Sequence, residues 1–285
     1  MLYKSLNITK QAVHKYLDRS NKSTSEELQM LLLIHQIRED HPTMCCRDMY
    51  YKLQPSCMGR DAFERFCKLN GLMSERKINY RRTTDSSGVT RFDNLLTNLK
   101  ITSLNQVWQS DITYYDLNGK FYYITFILDS FSRRILGHHV SKRLTTECTT
   151  LPCLQMAIKT RKGTIIVNLI FHSDGGGQYY DKEFLKLTSF YDIKNSMCEY
   201  PWENGKAERI NGIIKNNYLN HRNITSYESL VKEVDRSVSL YNQDKPHIEL
   251  KRKSPIEFEN NYLCTEQKTS GSSIASKCNL KMIAT

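Results

Sequence analysis

The chain of 285 residues is predicted to be an α/β protein, in which helices cover a mixed β-sheet. Three successive segments rich in β-branched and aromatic residues, 107–117, 121–130 and 134–140, predict consecutive antiparallel strands. Helical and strand patterns then alternate from residue 150 onward, which is typical of a sheet flanked by helices. Helical periodicity before the first strand predicts a small helical domain in front of this core.

The order of elements within the core predicts a five-stranded sheet. Asn118-Gly119 separates the first two strands, and this dipeptide favours the tight turn of a β-hairpin. The continuous apolar run from Ile165 to Phe171 is the pattern of a strand buried on both faces. The other predicted elements are a helix at 150–161 with Pro152 in its first turn, a helix at 181–191, a strand at 193–197, and helices at 204–220 and 227–241.

The N-terminal region is predicted to form three helices. Ser23 and Glu26 have the spacing of a capping box, so the first helix is expected to begin there and to end at His41-Pro42. Two shorter helices are expected at 46–53 and 60–69, the second followed by Asn70-Gly71. Basic residues on the last helix suit a helix-turn-helix that reads DNA, and an ordinary three-helix bundle fits the same pattern equally well.

Composition predicts the domain boundaries. The helical domain is expected to span residues 1–75, a basic and turn-prone linker residues 76–98, and the core with a helical extension residues 99–262. The remaining residues, 263–285, are rich in Ser, Thr and Lys, and this composition predicts disorder.

The net charge narrows the class of partner. The chain carries 41 Lys and Arg against 30 Asp and Glu, a net charge of +11, and such a positive field favours polyanions. No basic amphipathic helix stands out, so nucleic acid is preferred over an anionic membrane, with an inert basic surface as the plain alternative. No apolar stretch approaches the ~20 residues of a membrane span, and the first residues lack a secretory pattern, so we expect a cytoplasmic protein.

The cysteines favour neither disulfides nor zinc. Nine cysteines are scattered without a Cys-x-x-Cys pair, which predicts reduced thiols. A zinc site could draw on six side chains of the helical domain: His35, His41, Cys45, Cys46, Cys57 and Cys67. Compact zinc sites usually pair ligands about two to four residues apart, and adjacent Cys45 and Cys46 cannot easily both reach one ion.

Three carboxylates stand at positions that favour chemistry. Asp111 lies within the first strand, Asp174 follows the buried strand and precedes three glycines, and Glu208 lies in the first turns of a helix. Acids brought together repel one another unless a cation neutralises them. Phosphodiester cleavage uses divalent metal to neutralise charge on the attacking and leaving oxygens. The pattern therefore predicts that these acids bind Mg²⁺, with Mn²⁺ able to substitute.

The periodicity of the helix at 204–220 orients Glu208. Its apolar face is expected to pack on the sheet and consists of Ala207, Ile210, Ile214 and Tyr218. The neighbouring stripe carries Glu208, Asn211 and Lys215, so Glu208 is expected at the rim that faces Asp174. A solvated helix face with a weak ion pair is the plain alternative for Glu208 and Lys215.

Six short motifs follow one another along the chain. They are Trp108-x-x-Asp111-Ile112-Thr113-Tyr114, Leu128-Asp129-x-Phe131-Ser132-Arg133, His172-Ser173-Asp174-x-Gly176-x-Gln178-Tyr179, Ser196-Met197, Glu203-Asn204-x-x-Ala207-Glu208-Arg209-x-Asn211-Gly212-Ile213-Ile214-Lys215 and Tyr241-Asn242-x-x-Lys245-Pro246-His247. In this order they resemble the OrfB-type transposases of insertion sequences. The resemblance spans roughly residues 26–260.

The resemblance implies a retroviral-integrase-like core of the ribonuclease H type, which acts on DNA and has an Asp, Asp, Glu triad that binds Mg²⁺. The triad falls on Asp111, Asp174 and Glu208. DNA contacts are expected from basic and polar residues of the same helix, namely Lys215, Asn211, Arg209 and Lys206. The resemblance also implies a homo-multimer that pairs two DNA ends, and an OrfA-like protein or fusion encoded by an upstream frame.

Some positions depart from the family pattern. The spacer of 33 residues between Asp174 and Glu208 is slightly shorter than is common. Gly175 and Lys245 stand where the family usually has Arg, and Cys45 where it usually has Gly. Asp129 belongs to a family motif at a strand end, and we interpret it as structural, holding the turn with Ser132 and Arg133.

Three functions fit these patterns. The first is a transposase that cuts element ends and joins their 3′-hydroxyl to target DNA. The second is a decayed copy that only binds DNA, and the presence of all three acids disfavours it. The third is a metal-dependent nuclease that only cuts, whereas the basic segment 245–253 suits an enzyme that holds two DNA ends.

Overall fold

A computed structural model describes residues 9–74, 92–161 and 168–265 and divides the chain after Glu75 into two compact units. The described part of the N-terminal unit contains three helices: α1, Lys10–Asp40; α2, Cys46–Leu53; and α3, Arg60–Leu69. Their apolar sides enclose a core in which Ile34, Met49 and Phe63 are completely buried. The predicted bounds of the second and third helices are confirmed.

Helix α1 begins earlier than the sequence predicts. Thr9 caps it by accepting a hydrogen bond from the Ala12 amide (3.2 Å), and the helix then continues without a break through Ser23. The Ser23 hydroxyl donates to Glu27 Oε1 (3.3 Å) within the helix. The capping-box prediction is wrong because a serine on an exposed helix face can bond within its own helix, so the local spacing does not define a helix start. The predicted end is confirmed, since α1 ends at Asp40.

The C-terminal unit contains a five-stranded mixed sheet, as predicted. Its strands are β1, Val107–Leu117; β2, Lys120–Asp129; β3, Ile135–Ser141; β4, Ile170–Ser173; and β5, Lys194–Met197. Their order across the sheet is β3-β2-β1-β4-β5. β1, β2 and β3 pair antiparallel, whereas β4 pairs parallel with β1 and with β5.

Two details of the sheet follow from the sequence. Asn118 (φ 53°) and Gly119 (φ 78°) both have left-handed backbone angles, which the predicted hairpin turn between β1 and β2 requires. The predicted buried strand at 165–171 corresponds to β4, which extends to Ser173. Residues 162–167, including the start of that predicted strand, lie outside the described residues.

Helices cover both faces of the sheet. They are α4, Thr150–Thr160; α5, Lys182–Phe190; α6, Gly205–Asn217; α7, Tyr227–Gln243; and α8, residues 255–265. Successive side chains of β2 point into two different cores. Phe126 faces the core formed with α6 and α7, and Ile127 faces the core formed with α4 and α5. This two-sided burial confirms the predicted flanking of the sheet by helices.

Two predicted segments end differently. The predicted helix at 204–220 stops at Asn217, and a short 3₁₀ turn, Leu219–His221, follows it. The predicted start of the disordered tail, residue 263, is too early, because α8 continues to residue 265. The aromatic residues of α8 pack against Phe131. Residues 266–285 and 75–91, and with them most of the predicted tail and linker, lie outside the described residues.

The described helices include none that is both long enough and apolar enough to cross a membrane.

A buried ionic cluster attaches α8 to the sheet. The Glu259 carboxylate, 2% exposed, accepts hydrogen bonds from Arg161 Nη1 (2.8 Å), Arg134 Nη1 (2.7 Å) and Ser132 Oγ (2.6 Å). Arg161 also pairs with Asp129 at the end of β2 (3.3 Å). Each buried charge therefore has an opposite charge and further hydrogen bonds, which buried ions need in order to offset their desolvation.

Replacing Glu259 is expected to destabilise the fold strongly. Glu259→Ala leaves the buried Arg161 and the partly exposed Arg134 without the carboxylate that they share, so the free energy of unfolding should fall by about 3–5 kcal/mol in urea titrations. Glu249→Ala is the matched control, because Glu249 pairs with Arg133 at the surface with 56% of its side chain exposed. That variant should lose less than about 1 kcal/mol. Equal losses in the two variants would contradict the structural role of the cluster.

Candidate active site

Parallel pairing brings two of the predicted acids next to each other, where β4 ends beside β1. In the register of β1 and β4, Gln109 lies opposite His172. Asp111 and Asp174 each lie two residues beyond this pair, and side chains two residues apart in a strand point to the same side. Asp174 is the first residue after β4, so its backbone is no longer held in the ladder.

Helix α6 supplies the third acid. Ala207, Ile210 and Ile214 are buried in the core beneath the sheet, as predicted, and α6 packs against β1. Glu208 follows Ala207 in the first turn of α6 and is exposed. Its negative charge acts on both Asp111 and Asp174, so the three predicted acids lie within electrostatic reach of one another.

The acids disfavour one another's ionisation. Burial raises the pKa of Asp111 to about 8, and the negative charges of Asp174 and Glu208 contribute to the rise. Burial also raises the pKa of Asp174, and burial together with the charge of Asp174 raises that of Glu208. Among the described residues, no Lys, Arg or His forms an ion pair with any of the three. When ionised, the three acids therefore carry an excess of negative charge that a bound cation would neutralise.

Hydrogen bonds orient two of the carboxylates. Asp111 Oδ2 accepts from Asn211 Nδ2 on α6 (2.7 Å), and Asp111 Oδ1 accepts from the Ile112 amide (2.9 Å). Asp174 Oδ1 accepts from the Gly176 amide (3.1 Å). A Cβ at position 176 would lie 3.1 Å from the same oxygen, so glycine lets the backbone approach this carboxylate closely. No described hydrogen bond involves the Glu208 carboxylate.

The donor set fits a hard divalent cation without enclosing one. Within the described ranges, no three His, Cys, Asp or Glu side chains converge closely enough to form a complete metal site. Mg²⁺ usually keeps several waters and binds through one or two carboxylates together with substrate phosphates. Carboxylate oxygens of Asp111, Asp174 and Glu208, with raised pKa values and no cationic partner, match this kind of open site.

The predicted DNA-contact residues of α6 differ in their surroundings. Asn211 is buried against Asp111. Lys215 Nζ donates to the Tyr114 carbonyl (2.6 Å), and Lys206 Nζ donates to the Ser130 carbonyl (3.1 Å). Burial lowers the pKa of Lys215 and lowers that of Lys206 to about 8.

Arg209, by contrast, has an exposed side chain. Three of the four residues predicted to contact DNA thus form hydrogen bonds within the protein. Sequence periodicity does not reveal these bonds.

Asp129 has the structural role that the sequence predicts. Its Oδ1 accepts from the amides of Phe131 (2.8 Å) and Ser132 (3.1 Å), and its backbone carbonyl accepts from the Arg133 amide (2.9 Å). The additional pairing of Asp129 with Arg161 is not predicted from the sequence, because those two residues are far apart in the chain.

Asn204 lies beside the candidate site but is not among the site residues predicted from the sequence. It ends the 3₁₀ turn Pro201–Asn204, and its buried side-chain amide donates to the Ser110 carbonyl (2.8 Å). Ser110 precedes Asp111 in β1, so Asn204 attaches the start of α6 to the strand next to the first acid. The only signal in the sequence is its place in the Glu203-Asn204 motif.

Comparison with known proteins identifies the core. The sequence matches the Integrase core domain over residues 102–200, and a second profile with the same description matches residues 191–255. Together the two matches cover more than half of the chain and include all five strands. With the mixed five-stranded sheet, they confirm the predicted ribonuclease H-like fold class.

Several similar proteins come from insertion sequences. The chain is 27% identical to the insertion element IS600 uncharacterized 31 kDa protein of Shigella sonnei, over 87% of this chain and 92% of that protein. It is also 27% identical to the putative transposase for insertion sequence element IS986/IS6110 of Mycobacterium tuberculosis, over 74% of this chain and 78% of that protein.

A solved structure of the HTLV-2 integrase catalytic core domain in complex with magnesium aligns with 54% of this chain and 95% of that chain, at 23% identity and a TM-score of 0.42. Because the chain matches the Integrase core domain profiles and is similar to insertion-sequence proteins, it belongs to the insertion-sequence transposases that contain an integrase core domain.

Proposed function

We propose that this chain is the catalytic subunit of a DNA transposase, which cuts the ends of its element and joins the freed 3′-hydroxyl to target DNA. The observation that supports the proposal most directly is the position of Asp111, Asp174 and Glu208 on β1, after β4 and on α6, where their charges interact. The fold alone would not support this conclusion, because one fold can host many activities.

The three acids would hold Mg²⁺, with Mn²⁺ as a substitute. When bound, the metal would neutralise charge on the transferring phosphate and activate the attacking oxygen. Asn211 fixes the orientation of the Asp111 carboxylate from α6, and the Gly176 amide fixes that of Asp174. The exposed Glu208 has the freedom to adjust to substrate, because no described hydrogen bond holds its carboxylate.

Positive charge would bind the DNA. The net charge of +11 attracts phosphates, and the exposed Arg209 lies one residue from Glu208. We propose further contacts from Lys206, Asn211 and Lys215, which would require the two lysines to exchange their carbonyl partners for phosphates. The helical unit at 1–75 would then add a helix-turn-helix contact.

The assembly would contain more than one chain. Joining two element ends to one target requires two catalytic sites, so we propose a homo-multimer, together with an OrfA-like partner or fusion from an upstream frame. Such a complex would act on chromosomal or plasmid DNA in the cytoplasm.

Strand joining tests the proposal directly. The unmodified chain, with or without the upstream partner, should join a pre-cut element-end duplex to target DNA in Mg²⁺ or Mn²⁺. Asp174→Asn and Glu208→Gln should bind the same duplex and yield no joined product, a loss of at least about a hundredfold, because each removes a metal ligand.

Glu257→Gln is the matched control, since Glu257 is an exposed glutamate on α8. Joining by the Asp174→Asn variant would refute the assignment of the acids. Cut but unjoined products from the unmodified chain would indicate a nuclease, and binding without any product, even with the upstream partner, would indicate a decayed copy.

The raised pKa of Asp111 predicts a pH-dependent stability without metal. Between pH 4 and the folded pKa of about 8, folded Asp111 retains a proton that the unfolded chain releases, so its contribution to stability falls as pH rises. In the unmodified chain this effect should lower the free energy of unfolding, measured in urea, by up to about 1.4 kcal/mol per pH unit. Asp111→Asn should remove this decrease. Asp192→Asn, in an exposed turn, is the matched control for the Asp-to-Asn change itself.

Adding Mg²⁺ at pH 8 should stabilise the unmodified chain and have little effect on Asp111→Asn, because binding to the folded state alone shifts the unfolding equilibrium. A pH slope that is the same in the unmodified chain and in Asp111→Asn would contradict the electrostatic description of the site.

Salt should weaken DNA binding steeply. If Lys and Arg side chains contact several phosphates, the logarithm of the affinity falls linearly with the logarithm of salt concentration, by about 0.9 for each phosphate contacted. Fluorescence anisotropy of a labelled duplex at increasing KCl measures this slope. Arg209→Ala should reduce the magnitude of this slope by about one. An affinity that does not change with salt concentration would contradict the role proposed for the positive charge.

A further inference from the structure

An exposed aromatic pair lies in the turn before α6. The rings of Tyr200 and Trp202 stack face to face, with centroids 4.6 Å apart and an angle of 5° between their planes. Trp202 is 73% exposed and Tyr200 is 45% exposed. Tryptophan is usually well buried on average, so an exposed one in an ordered pair indicates a surface that binds something.

The turn that carries this pair is attached beside the acids at both of its ends. Before the pair, the Cys198 amide donates to the Ser173 carbonyl (3.0 Å), and Ser173 precedes Asp174. After the pair, Asn204 Nδ2 donates to the Ser110 carbonyl (2.8 Å), and Ser110 precedes Asp111.

Glu208 follows Asn204 by four residues, about one turn of helix. The aromatic pair is therefore connected over a few residues to each of the three acids.

The turn also holds its own shape. Glu203 Oε2 accepts hydrogen bonds from the amides of Glu199 (2.7 Å) and Tyr200 (3.0 Å), which closes the turn around the pair. Because these bonds restrict the backbone on both sides of the rings, little conformational entropy remains to be lost when a ligand binds.

The ring geometry of a second exposed aromatic pair differs from that of the Tyr200–Trp202 pair. Phe190 and Tyr191, at the end of α5, meet edge to face at 80°, and Phe190 is 79% exposed. In that pair the edge of one ring meets the face of the other, whereas the parallel rings of Tyr200 and Trp202 form a stack that a further flat ring can extend. A flat exposed ring face can stack a nucleobase, while the net charge of +11 and the exposed Arg209 on α6 attract the phosphates.

We propose that Trp202, supported by Tyr200, stacks on an unpaired base of the DNA next to the phosphate that the acids act on. This inference depends on the proposed function, because it takes DNA as the substrate. Bases within a duplex are already stacked and paired, so only a frayed or single-stranded end offers a free face. Stacking on Trp202 would hold that end open and position its phosphate at Asp111, Asp174 and Glu208.

The intrinsic fluorescence of the chain provides a readout that needs no catalysis. The chain has two tryptophans, and Trp108 is completely buried, so Trp202 is the one that solvent and DNA can reach. The probes are a short duplex with single-stranded ends and the same duplex with blunt ends, both in EDTA so that no cutting occurs. Stacking tolerates any base, so the element's own end sequence is not required.

We expect the duplex with single-stranded ends to quench the emission of the unmodified chain, and the quenching to be absent from Trp202→Ala. The affinity of Trp202→Ala for that duplex should fall by about tenfold, while its affinity for the blunt duplex changes by less than about twofold. Trp202→Phe should retain most of the affinity and Trp202→Leu should not, because leucine is apolar but has no flat face. Phe190→Ala is the matched control and should behave like the unmodified chain.

The outcomes separate this inference from the proposed function. Binding of both duplexes without quenching, and with equal affinity in Trp202→Ala, would overturn the stacking role and leave the proposed function intact. Failure of the unmodified chain to bind either duplex would overturn both. A change of oligomeric state in Trp202→Ala by analytical ultracentrifugation, with DNA affinity unchanged, would assign the pair to a protein interface and also overturn the stacking role.

Discussion

The parallel pairing of β1 with β4 determines the geometry of the candidate site. The two strands come from distant parts of the chain, and their register sets Asp111 and Asp174 at equivalent positions, each two residues beyond the paired Gln109 and His172. A shift by one residue would direct one of the two side chains to the opposite face. The apolar residues of both strands prevent such a shift, since Trp108 and Phe171 are buried in the same core.

This arrangement has an electrostatic cost that the surrounding structure offsets only in part. Burial and mutual repulsion raise the pKa of Asp111 to about 8. Asn211 donates one hydrogen bond to the Asp111 carboxylate, and the Gly176 amide donates one to the Asp174 carboxylate. Stored repulsion of this kind is frequent at functional sites, where a ligand of opposite charge relieves it. It gives the acids a reason to bind a cation that does not depend on any family resemblance.

Helix α6 connects the acids, the basic residues and the aromatic turn. Its apolar face packs in the core, its first turn carries Glu208, and its lysines donate to carbonyls of the neighbouring strands. The turn before it is held to β1 through Asn204. A change in the position of α6 would therefore move Glu208, Arg209 and the Trp202 ring together, so the proposed DNA contacts and the third acid are mechanically coupled.

The sequence by itself determined the elements of the core and the candidate acids. Segments rich in β-branched, aromatic or other apolar residues predict the strands, Asn118-Gly119 predicts the hairpin, and the motifs around Asp111, Asp174 and Glu208 predict the site, because each of these signals lies within a few neighbouring residues. Only the tertiary structure decided that Asn211 and Lys215 bind within the protein and that Arg161 pairs with both Glu259 and Asp129. Those contacts connect residues that are far apart in the chain, and side-chain type and periodicity carry no record of a distant partner.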